Sequence, residues 1–86
     1  MKKRKLLEKV LSGSKNVRFD ELALLLDGFG FELKRVRGSH HLYKHPEVPA
    51  LLSVQPTHAG QAKPYQIRQL LKLIEEFNLQ LNDEDE

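Results

Sequence analysis

The sequence predicts an α+β fold, with two helices, then three strands in an antiparallel meander, then a last helix, and all the helices on one face of the sheet. Three observations carry it. Apolar residues recur at helical spacing near both ends of the chain. A Gly-Ser turn at 38–39 separates two alternating segments, and prolines at 49 and 56 bracket a third. Eighty-six residues without cysteine support one small core, neither disulfide-stapled nor thiolate-bound to zinc. The expected organisation is therefore one domain over residues 1–86.

Leu6, Leu7, Val10 and Leu11 form one apolar stripe, so residues 3–11 read as a short amphipathic helix that Ser12-Gly13-Ser14 ends. A second helix is expected at about 18–27, from Phe19, Leu22, Leu25 and Leu26, with Asp20 and Glu21 in the first turn, and Gly28 and Gly30 breaking it. Phe31–Arg37 and His40–Lys44 read as a β-hairpin, and Leu51–Gln55 as the third strand. Pro64 stands where a helix N1 proline belongs. Ile67, Leu70, Leu71, Ile74 and Phe77 follow on one face, with Asn78 as C-cap. Residues 82–86 read as a frayed acidic tail.

The lysine-rich start lacks the apolar stretch of a signal peptide, and no segment is long and apolar enough to span a membrane, so a cytoplasmic protein is expected. The net charge of +2 hides an asymmetry. Asp83–Glu86 supply four of the twelve acids, and without them fourteen basic residues against eight acidic leave +6. From Lys34 to Lys63 there are five Lys and Arg and one acid, Glu47. Such a segment can attract a polyanion. Lys63, just before Pro64, adds its charge at a helix N-terminus, where an anion is already favoured.

All four histidines, His40, His41, His45 and His58, lie in the same stretch. Zinc is disfavoured. His40 and His41 point to opposite faces of a strand, and His41 and His45, though on one face, are about 13 Å apart along it. No metal or other cofactor is expected. In the second strand Leu42 is expected to face the core, and His40 goes with it as a structural histidine, which puts His41 and Tyr43 on the open face. There His41 is either an ordinary solvated histidine, which the pattern alone favours, or a proton carrier among Lys34, Arg35, Arg37 and Lys44. Gly28-Phe29-Gly30 does not make a phosphate loop, and no carboxylate is evident to complete a triad with Ser39 and His41.

Gly30-Phe31, Arg35, Arg37, Gly38-Ser39-His40-His41, Tyr43, His45-Pro46, Pro56-Thr57-His58 and Lys63 before a helix with Ile67 and Leu70-Leu71 together resemble the HicA (YcfA-like) toxin family. The likeness covers about residues 17–79. It implies a double-stranded-RNA-binding-domain-like fold, with residues 3–11 as an extra N-terminal helix. It also implies a metal-independent endoribonuclease that cleaves messenger RNA, the toxin of a type II toxin–antitoxin system, neutralised by a HicB-type antitoxin protein. The family's catalytic histidine falls on His41. Gly38 and Ser39 would present it, His58 would support the site, and Lys34, Arg35, Arg37, Lys44 and Lys63 would bind RNA. Pro64-Tyr65 departs from the family's usual Gly-Thr after the lysine. The competing class is a non-catalytic RNA-binding or protein-binding module of the same fold.

Overall fold

The computed structural model describes residues 2–82, so the acidic run 83–86 of the expected tail lies outside the described residues. The elements are α1 (Lys3–Leu11), α2 (Phe19–Gly28), β1 (Glu32–Arg37), β2 (His40–His45), β3 (Val48–Val54) and α3 (Pro64–Phe77). The strands form one antiparallel sheet in the order β1-β2-β3. This is the predicted α+β, double-stranded-RNA-binding-domain-like arrangement with an additional N-terminal helix. Among the described residues no helix is long and apolar enough to cross a membrane.

Each helix stops at a residue in the left-handed region. Gly13 (φ 83°) follows α1, Gly30 (φ 92°) follows α2, and Asn78 (φ 51°) follows α3. After α2 the Gly30 N–H returns to Asp27 O and the Phe31 N–H to Leu26 O, at 3.0 and 2.9 Å, which satisfies carbonyls the helix would otherwise leave bare. Phe31 is thereby held in the core just before β1, rather than within the strand. At the start of α2 the Glu21 carboxylate accepts the Arg18 N–H at 2.8 Å and the Lys9 ammonium at 3.2 Å, which ties α2 to α1. Those two donors hold the Glu21 carboxyl below the usual carboxylate range.

The core draws Leu6 and Val10 from α1, Leu22, Leu25 and Leu26 from α2, Tyr43 from β2, Val48, Leu52 and Val54 from β3, and Ile67 and Leu70 from α3. Leu79 closes it, and the Asn82 N–H donates to Gly28 O at 2.7 Å. The chain is thus docked as far as Asn82, which was expected to belong to a frayed tail.

Two expectations about the sheet are corrected. β3 begins at Val48, not Leu51, and contains Pro49; the proline stands in an edge strand, within the register shift between Val48 and Leu52, where a proline is tolerated. The faces of β2 are also reversed. Tyr43 and His45 are buried and His41 is half-buried beneath the helices, while His40 is exposed and Leu42 lies with it on the open face. The partner strand decides this. Tyr43 pairs with Leu52 and His41 with Val54, both completely buried, so His41 and Tyr43 follow them inward. The structural histidine is consequently His45, not His40.

Candidate functional site

Gly38 adopts φ 58° in the β1–β2 turn, and Ser39 completes that turn before the chain enters β2. Ser39 contributes its backbone: the His41 Nδ1 lies 2.9 Å from Ser39 O. A carbonyl can only accept, so Nδ1 carries the proton and Nε2 is the nitrogen left to exchange one. The imidazole also meets Phe19, the first residue of α2, with ring centroids 4.8 Å apart and planes inclined by 55°.

The loop after β3 is fastened to the same end of the sheet. The Phe19 N–H donates to Gly60 O at 3.0 Å, Ala62 N–H to Val17 O at 2.8 Å, and Arg18 pairs with Gln61 across an isolated antiparallel bridge. Within the loop the Thr57 N–H reaches Gln61 O, and the Gln61 N–H reaches the Thr57 hydroxyl. His58 is exposed at the tip of this turn. The buried Gln66 accepts the Gln55 N–H at 3.2 Å, which sets the exit of β3 against the first turn of α3. Lys63 is the N-cap residue of that helix and makes no side-chain cap. His41, the loop bearing His58, and Lys63 are therefore held together through the start of α2.

The remaining cations divide differently. Arg35 pairs with Leu42 and Arg37 with His40, so both share the open face with Lys44, opposite the face of His41. The cause is a bulge between Leu33 and Arg35, where Lys34 is the extra residue. Leu33 and Val36, one odd and one even, then fall on the helix side, and the arginines fall on the other. Lys34 is paired with Glu32 at 2.8 Å, and its ammonium holds the Glu32 carboxyl below the ordinary range. Arg35, Arg37, Lys44 and Lys63 have no ion-pair partner among the described residues.

Three residues have roles that the sequence did not assign them. Phe19 carries no signal beyond its place in the apolar stripe of α2. Arg18 brings a guanidinium to the loop, its Nη2 3.6 Å from where a Cβ on Gly60 would stand. His45 is locked at both nitrogens, with Nε2 2.9 Å from Phe29 O and Nδ1 accepting the Glu47 N–H at 3.0 Å. Among the described residues no group of three or more His, Asp and Glu comes together in a way that could hold a metal ion.

A comparison with protein families matches residues 19–75 to the model described as the HicA toxin of bacterial toxin-antitoxin. No curated protein matches the chain, and no solved structure does.

Proposed function

The chain belongs to the HicA toxin family, and from that premise we propose that it is a metal-independent endoribonuclease that cleaves messenger RNA, with His41 as the catalytic acid and base. The observation that carries the reading is the hydrogen bond of His41 Nδ1 to Ser39 O. It fixes the tautomer in which Nε2 offers its lone pair, on a ring that is only half-buried.

Nε2 takes the proton of a ribose 2′-hydroxyl. The freed oxygen attacks the adjacent phosphorus, the bond to the 5′-oxygen breaks, and the imidazolium returns its proton to that leaving oxygen. Lys63 at the start of α3 supplies positive charge toward the phosphate. Pro64 removes one of the N–H groups that would otherwise assist it. His58 supports the site from the loop. Arg35, Arg37 and Lys44 bind RNA on the open face, so a strand held by both sets passes around the β1 edge, with Lys34 on the bulge there.

Family membership implies an antitoxin partner. The HicB type of that partner and a cytoplasmic site of action belong to the same proposal. The test is cleavage of RNA by the purified protein in EDTA. His41→Ala should retain its circular dichroism and lose at least about a hundredfold in rate. Equal cleavage by His41→Ala would remove the role of His41. Salt-dependent RNA binding with no cleavage by the wild type would make the chain a binding module instead.

A further inference from the structure

A single hydrogen bond selects a tautomer only while the ring stays aligned with its partner, and by itself it leaves an imidazole able to tilt out of that alignment. Ser39 O supplies only one such restraint to His41. The second comes from Phe19, whose ring stands 4.8 Å from the imidazole centroid. Phe19 is itself constrained from two directions. Its side chain packs against the core cluster as part of α2, and its amide donates to Gly60 O at 3.0 Å. The same residue thus touches the ring of His41 and anchors the loop that carries His58.

We infer that Phe19 is a positioning residue for RNA cleavage: it holds the plane of the His41 imidazole and sets the His58 loop at a constant place beside it. This rests on the reading of His41 as the acid and base. Phe19 reaches no reacting atom; it acts by keeping Nε2 aimed at the 2′-hydroxyl, and small misplacements of such a group are costly in rate.

The experiment compares Phe19→Ala, Phe19→Leu and Phe19→Tyr with the wild type and His41→Ala. It reads steady-state RNA cleavage together with long-range 1H–15N NMR of the imidazoles. Phe19→Ala should lower kcat by about ten- to a hundredfold while KM stays within about twofold, and His41 should lose its dominant Nδ1–H tautomer. Phe19→Leu keeps an apolar side chain for folding but presents no flat ring, and it should move both readouts in the same direction. Phe19→Tyr, which keeps the ring, should restore most of kcat and the tautomer.

Folded Phe19→Ala and Phe19→Leu proteins with wild-type kcat and an unchanged His41 spectrum would overturn the inference. So would a rise in KM at constant kcat, because Phe19 would then contact RNA. A wild type that cleaves no RNA, or an active His41→Ala, would strike the catalytic reading, and the tautomer measurement would still decide whether Phe19 orients the ring.

Discussion

His45 shows how one side chain can hold two turns. Its Nε2–H satisfies Phe29 O at the end of α2, and its Nδ1 accepts the Glu47 N–H in the β2–β3 turn, with the Phe31 ring at 5.0 Å against its edge. Gly30 makes this possible, since a Cβ there would stand 3.1 Å from His45 Nε2, at a φ of 92° that L side chains rarely adopt. Gly30→Ala should therefore destabilise the protein by about 1–2 kcal/mol, read as a lower Tm, while kcat for RNA is kept because His41 lies at the other end of β2. Tyr43 offers a second check. Burial, with the Asp27 charge adding to it, pushes its phenol up from the ordinary value. The unfolded chain thus ionises first as pH rises past about 10, and stability contributed by the neutral buried phenol falls through that range in denaturant titrations. The sequence placed all four histidines in one stretch but assigned His40 and His41 to the wrong faces, because alternation yields two faces without saying which one a helix will cover.

At the level of elements, the helices were legible and the strand faces were not. α1 and α3 occupy their predicted spans, and α2 is displaced by a single residue, because 3.6-residue periodicity together with Gly or Asn stop signals is written locally. The bulge at Lys34 and the early start of β3 are decided by pairing between strands, which no single segment encodes. The junction of α1 with α2 can be tested through pH. The Glu21 carboxyl is lowered in the fold by the Arg18 amide and by Lys9. Its contribution is accordingly full above the pKa of the unfolded carboxyl, and it disappears as pH falls through the lower folded value. Glu21→Gln should cost about 0.5–1 kcal/mol at pH 7 and little at an acidic pH where the folded carboxyl is protonated. Chemical denaturation of both proteins at the two pH values measures the difference.

For the whole molecule, charge and shape have to be read together. The cations of the stretch from Lys34 to Lys63 do not form one patch around His41. Lys63 shares the loop and helix-start region with it, whereas Arg35, Arg37 and Lys44 line the opposite face. Binding to single-stranded RNA should weaken with salt, and Lys63→Ala should reduce the magnitude of the log–log slope by roughly 0.7, as expected for one lost phosphate contact. An unchanged slope in a binding titration would remove Lys63 from the interface. By itself, the sequence determined the element order, the helix limits, the Gly-Ser turn and the family, because periodicity, capping and turn chemistry act over a few neighbouring residues. Only the tertiary structure decided that His41 turns inward beneath Phe19 and that the arginines turn outward. Those orientations depend on which strand residues meet the buried Leu52 and Val54, and on a one-residue bulge that inverts side-chain parity at the edge of the sheet.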